Sequence, residues 1–134
     1  MTPVSKEMQR WELITPTEEN SFCLFEQALE DNPLVLFHAT PKRHFHSITK
    51  SGFRSATELG LAELSSVSYA KRSSSCLAHI GNDVKEAYVV FAVEFDTLQQ
   101  QGIKDNPSDI HVYKSEIQPH ILGYCEIPEG FRVS

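Results

Sequence analysis

The run Leu34-Val35-Leu36-Phe37-His38-Ala39-Thr40, with Pro41 after it, leaves this chain few ways to fold. Four consecutive apolar residues read as a buried strand, and the histidine and threonine that end it put polar groups at its tip. Pro41 lacks an N–H and suits a first helical turn, where none is needed, while Phe45 and Ile48 supply that short helix with an apolar face. Gly52 then closes the helix, as a residue able to take the left-handed conformation. Polar groups at the tip of a buried strand are where small-molecule sites are usually built, so His38 and Thr40 are the first candidate site residues.

The remaining elements follow from periodicity and turn residues. Residues 87–96 give the strongest strand signal, rich in β-branched and aromatic side chains, and are expected at the centre of the sheet. Residues 67–70, 110–113 and 121–127 read as further short strands. Residues 71–80 start with basic and hydroxyl side chains and then place Leu77 and Ile80 inward, which predicts a helix. Thr15-Pro16-Thr17-Glu18 predicts another helix start, with Phe22, Phe25 and Leu29 at helical spacing and Asn32-Pro33 as its stop. Residues 54–66 read as a loop bordering the site, and residues 97–108 as a connector. Trp11, Leu13 and Ile14 predict either an edge strand or a peripheral segment lying across the core. Many short strands with few short helices and no alternating strand–helix rhythm indicate an α+β fold on a largely antiparallel sheet. At 134 residues and 40% hydrophobic content, the whole chain, 1–134, is expected to form a single small domain.

The net charge of −6 argues against broad binding to a phosphate backbone, but the charge is unevenly spread. Lys42, Arg43, Lys50, Arg54, Lys71 and Arg72, against Glu58 and Glu63, leave residues 34–72 at +4 and the flanks at −10. A basic centre in an acidic chain suits a phosphorylated ligand of limited size, or else a solvated surface. Cys23, Cys76 and Cys125 are odd in number and widely spaced, which gives neither a disulfide framework nor a zinc-finger spacing. With no long apolar run at the N-terminus, the expectation is a cytoplasmic protein without a signal peptide or a membrane span.

The segments Leu36-Phe37-His38-Ala39-Thr40, Phe45-His46-Ser47-Ile48 and Ser51-Gly52-Phe53 resemble the opening of the catalytic domain of ADP-ribosyltransferases of the diphtheria-toxin and poly(ADP-ribose) polymerase type. In that group a strand ending in His-Gly-Thr leads into a helix. Val67-Ser68-Tyr69-Ala70 with Lys71-Arg72-Ser73-Ser74-Ser75 resembles the second signature, an aromatic strand followed by a serine-rich helix start. Asp109-Ile110-His111-Val112-Tyr113, ahead of Pro119 and the last strand, resembles the third, an acidic residue opening a strand. The three stand in order across residues 34–127, as in the small bacterial members. The resemblance implies a split, largely antiparallel sheet, NAD as co-substrate, and transfer of ADP-ribose to an acceptor that can be protein, nucleic acid or small molecule.

The residue types suit that chemistry. Cleaving the nicotinamide–ribose bond develops positive charge on the sugar, which a carboxylate stabilises electrostatically. By resemblance Asp109 is that group, with Asp105 and Glu116 as alternatives. His38 and Thr40 would hold the adenosine ribose hydroxyls, with Ala39 standing where the family has glycine. Tyr69 would stack on nicotinamide, unless a one-residue slip puts Ser68 at that position and turns Tyr69 into the core. Ser73 would donate to the carboxamide.

Each residue also has a structural reading: His38 as a hydrogen-bonded strand-end histidine, Tyr69 as plain core, Asp109 as a turn cap. Ala39 and the Ser68/Tyr69 ambiguity favour a catalytically silent NAD- or ADP-ribose-binding or protein-interaction module. A metal site built on His38, His44 and His46 is disfavoured by their spacing.

Overall fold

The computed structural model describes residues 8–13, 17–20, 23–54, 66–81, 84–114 and 116–131. Thr15, Pro16, Phe22 and the loop 55–65 lie outside them. Seven strands are described: β1 (Gln9–Trp11), β2 (Val35–Pro41), β3 (Val67–Ala70), β4 (Tyr88–Glu94), β5 (Ile103–Asp105), β6 (Asp109–Val112) and β7 (His120–Ile127). Three short helices accompany them, α1 (Gln27–Glu30), α2 (Phe45–Ser51) and α3 (Ser73–Ile80). All strands form one sheet in the order β1-β7-β4-β2-β3-β6-β5, antiparallel throughout except for the β1–β7 pair. The architecture is therefore α+β on a mostly antiparallel sheet. No helix among the described residues is long and apolar enough to cross a membrane.

Both faces of the sheet are covered, which explains the uninterrupted apolar runs in β2 and β4. On one face Val35, Phe37, Val90, Ala92, Cys125 and Ile127 pack with Leu24, Phe25, and Cys76 and Leu77 of α3. On the other, Leu36, Val89, Phe91, Tyr69 and Ile110 pack with Phe53, and Phe45 and Ile48 of α2 lie against them. Phe25 stacks on Phe37 at 5.2 Å and meets Trp11 edge-on at 5.1 Å, so the N-terminal segment is tied to the core by aromatic contact. The middle strand is β2, not the 87–96 run expected there; β4 lies beside it and pairs with β7 on its other edge.

The helix expected from Thr17 onward is broken up. Glu18–Asn20 form a 3-10 turn, and α1 is a single turn at Gln27–Glu30. Leu24 and Phe25 are pulled into the core between these pieces, and burying both side chains outweighs continuing a solvent-facing helix. Residues 103–105, expected as connector, form the edge strand β5.

Two glycines are required by position. Gly52 ends α2 with φ 86° and ψ 177°, a region closed to other residues, and a Cβ there would meet the Gln118 side chain. That side chain accepts the Phe53 N–H and donates to the Phe53 carbonyl, both at 2.8 Å, holding the end of α2 to the segment before β7. Gly123 in β7 leaves room for Trp11 and the Gln9 backbone of β1, which a Cβ would strike.

The sheet has one weak seam. β2 and β3 share a single register pair, Phe37 opposite Ala70, whereas β2 pairs with β4 along its whole length. The strands part on either side of that pair, leaving one block of β1, β7, β4 and β2 and another of β3, β6 and β5.

Candidate functional site

On one side of the Phe37–Ala70 pair lies a cavity of about 280 Å³, walled by Phe37, His38, Ala39, Ser68, Tyr69 and Ala70 from the seam, by Ser75, Cys76 and His79 from α3, and by Ser108 and Asp109. On the other side, residues 34–36 and Lys71, Arg72, Asp96, Asp105 and Ser108 border a wider groove of about 690 Å³. Ser75 and Ser108 line both, so the two openings adjoin beneath the seam.

His38 bridges the seam. Its Nδ1 is 2.7 Å from the Ser68 carbonyl oxygen, a side-chain bond where a regular sheet would have a backbone one. A carbonyl only accepts, so Nδ1 carries the hydrogen and, in the neutral ring, Nε2 is the acceptor. Phe53 meets the imidazole edge-on at 5.2 Å and Tyr69 lies tilted against it at 5.5 Å, which fixes the ring plane. Burial lowers its pKa below the usual imidazole value and the charge of His79 adds to this, against the opposing effect of the Ser68 bond. His38 is therefore neutral at pH 7.

Asp109 opens β6, opposite Ala70. One carboxylate oxygen accepts from Asn106 Nδ2 at 3.0 Å and the other is 3.2 Å from His111 Nε2. The Nδ1 of His111 is in turn 3.1 Å from the hydroxyls of both Ser66 and Ser68. Ser68 and His111 are register partners on β3 and β6. The Ser68 carbonyl faces β2, so its backbone groups point away from β6 and the pair is of the closely spaced kind, without ladder bonds between them.

Tyr69 is 1% exposed, ringed by Phe53 at 5.4 Å and Phe95 at 5.2 Å, and burial pushes its phenol well above the usual range. Its ring belongs to the core and meets the cavity as part of the wall, whereas Ser68 is on the solvent side of β3. Ala39 lines the cavity. Thr40 is buried opposite Val89 and is not in the cavity wall.

Ser73 is withdrawn from the site altogether. It is 0% exposed, its hydroxyl donates to Glu30 Oε2 at 2.5 Å and accepts from the Leu24 N–H at 2.7 Å, and its N–H donates to Glu30 Oε1 at 3.1 Å. A buried carboxylate thus caps α3 and leaves Ser73 no donor for a ligand; Ser75, one half-turn on, is the α3 hydroxyl at the cavity.

Of the alternative acids, Asp105 borders the wider groove and pairs with Lys71 at 2.7 Å, while Glu116 lies on an exposed turn outside both openings. Arg72 pairs with Asp31 at 3.1 Å in the same groove, and Arg43 pairs with Glu86 away from it. All three cysteines are buried and none is in a disulfide among the described residues. Desolvation pushes Cys76 up to about 12 and Cys125 to about 11, and raises Cys23 as well, so none is a thiolate at neutral pH. Among the described residues no three His, Cys, Asp or Glu side chains come together as a metal site.

Three contributors escaped the sequence reading. His79 stands four residues after Ser75 on one helix, a spacing that puts both on one face. His111 is two residues after Asp109, hence on the same strand face, a period-2 signal that was present but carried no partner until β3 was placed beside it. Ser108 precedes a strand and had no signal. No protein-family model, curated protein or solved structure matches this chain.

Proposed function

We propose that the chain is an NAD-dependent mono-ADP-ribosyltransferase, binding NAD across the seam between β2 and β3 and releasing nicotinamide. The observation that carries the reading is convergence: His38, Ser68, Tyr69 and Asp109, drawn from three separated sequence signatures, wall one cavity. The cavity has an apolar side of Phe37, Ala39 and Ala70 for a flat ring, with the neutral His38 as hydrogen-bonding partner for a ribose hydroxyl. The adjoining groove offers Lys71 and Arg72 to a diphosphate. Their present partners, Asp105 and Asp31, hold them in solvent-exposed ion pairs, which are weak, so a diphosphate can take their place.

In the reaction Asp109 stabilises the charge that develops on the ribose as nicotinamide departs, and Asn106 and His111 hold its carboxylate in place. His38 positions the dinucleotide in ground state and transition state alike. The acceptor is protein, nucleic acid or small molecule.

A second reading, a silent NAD- or ADP-ribose-binding module, is favoured by two details: both Asp109 oxygens already have hydrogen-bond partners, and the Tyr69 ring is committed to the core. Release of labelled nicotinamide from NAD, run beside a melting curve at millimolar NAD, separates the two. Nicotinamide release supports the enzyme, while a raised melting temperature without release supports the module. Neither effect removes both.

A further inference from the structure

Ser68, His111 and Asp109 form a chain of contacts that simple NAD positioning does not need. The Asp109 carboxylate can only accept, so the 3.2 Å contact places the hydrogen of a neutral His111 on Nε2. Nδ1 then presents a lone pair to Ser68 Oγ at 3.1 Å. A hydroxyl aimed at an imidazole whose far nitrogen is held by a carboxylate is the arrangement of an activated nucleophile, recognised by roles and geometry. Asn106 holds the carboxylate from its other oxygen, so the orienting group is itself oriented. Ser66 reaches the same nitrogen at 3.1 Å, but only Ser68 is in the cavity wall and on the exposed side of its strand.

We propose that Ser68 is a self-modification site, the hydroxyl that takes ADP-ribose from NAD bound in the cavity, with His111 as its base and Asp109 orienting His111. The proposal rests on the NAD reading and names its acceptor chemistry, an alcohol in place of an amine, guanidine or thiol. Ser68 Oγ forms the bond to the anomeric carbon of the nicotinamide ribose as its proton passes to His111 Nδ1. The bond from that carbon to the nicotinamide nitrogen breaks, and its electron pair leaves with the ring, which becomes neutral nicotinamide. The products are ADP-ribosyl-Ser68 and nicotinamide, with one proton passed from His111 to solvent; no oxidant, reductant or water is consumed.

The full chain, incubated with NAD, is read by intact mass and peptide mapping. One ADP-ribosyl group is expected on Ser68, absent in Ser68→Ala, retained in Ser66→Ala, and formed roughly a hundredfold more slowly in His111→Ala. A fluorophosphonate, which phosphonylates activated serines without NAD, is the second arm and is expected to label Ser68 in a His111-dependent manner. Nicotinamide release with ADP-ribose on Ser66, elsewhere or nowhere overturns the inference while leaving the NAD reading in place. Fluorophosphonate labelling of Ser68 with no nicotinamide release removes the NAD reading, and the acceptor assignment falls with it. Failure of both reagents at Ser68 overturns the relay itself.

Discussion

The Nδ1 of His38 lies 2.7 Å from the carbonyl oxygen of Ser68, a bond across 30 residues that joins the two blocks of the sheet beside their single backbone pair. It orients the ring, settles its tautomer and leaves Nε2 to accept from a ligand.

If the proposed NAD site is correct, His38→Ala is expected to weaken NAD binding more than it slows the chemistry. A residue that holds the ribose equally in ground and transition state acts on KM, and the expected rise is about tenfold or more with a smaller change in kcat. Steady-state nicotinamide release over an NAD titration reads the split. A kcat-only defect would move His38 out of the positioning role.

Asp109→Ala is expected to show the reverse pattern, with turnover lower by roughly a hundredfold or more and NAD affinity nearly unchanged. Asp105→Ala and Glu116→Ala are the controls, since Asp105 faces Lys71 and Glu116 lies outside the cavity. Full activity in Asp109→Ala with loss in either control would transfer the role to that acid.

The lowered pKa of His38 predicts an acid-side loss of stability. The unfolded chain takes up this proton near the ordinary value of about 6.5, the folded chain only at lower pH, so between the two the unfolded state binds more protons and stability falls as pH falls. Below the depressed value the loss levels off. Melting temperatures of the parent and of His38→Gln, followed from about pH 7.5 to 5, should give the variant the shallower slope. Equal slopes would show that the proton binds folded and unfolded chains alike.

Glu30, at 5% exposure, accepts from the Ser73 hydroxyl and N–H and from the Phe25 N–H at 3.4 Å. Glu30→Ala leaves these donors buried without an acceptor and should lower the unfolding free energy by about 3 kcal/mol. Ser73→Ala should cost less, and the double variant less than the two together, because both remove one shared interaction. Urea unfolding measures the cycle, and strict additivity would show that the two side chains do not act together.

Legibility in the sequence followed how local the cause was. β2 and β4 were readable because strands covered on both faces need long apolar runs, and α3 because Leu77 and Ile80, three residues apart, both face the core. The end of α2 at Gly52 was readable because one backbone conformation there admits only glycine. The edge strand β5 was not, since three residues with one exposed edge owe their extension to Val112, His111 and Ile110 across from them. Nor was the fate of Ser73, which a buried carboxylate 43 residues earlier takes out of the site.

The sequence by itself determined which segments extend and which turn: His38 and Ser68 lie within strands that the apolar pattern marked out and Asp109 opens one, whereas β2 runs on past His38 through Pro41, which was expected in a helical turn. Only the tertiary structure decided that β2 and β3 meet through one pair and part around it, that His38 fills the gap, and that His111 faces Ser68. Propensity and periodicity act over a few neighbours along the chain, whereas contacts across the sheet depend on which strands become neighbours and in what register, and a shift of one residue would turn each of these side chains to the other face.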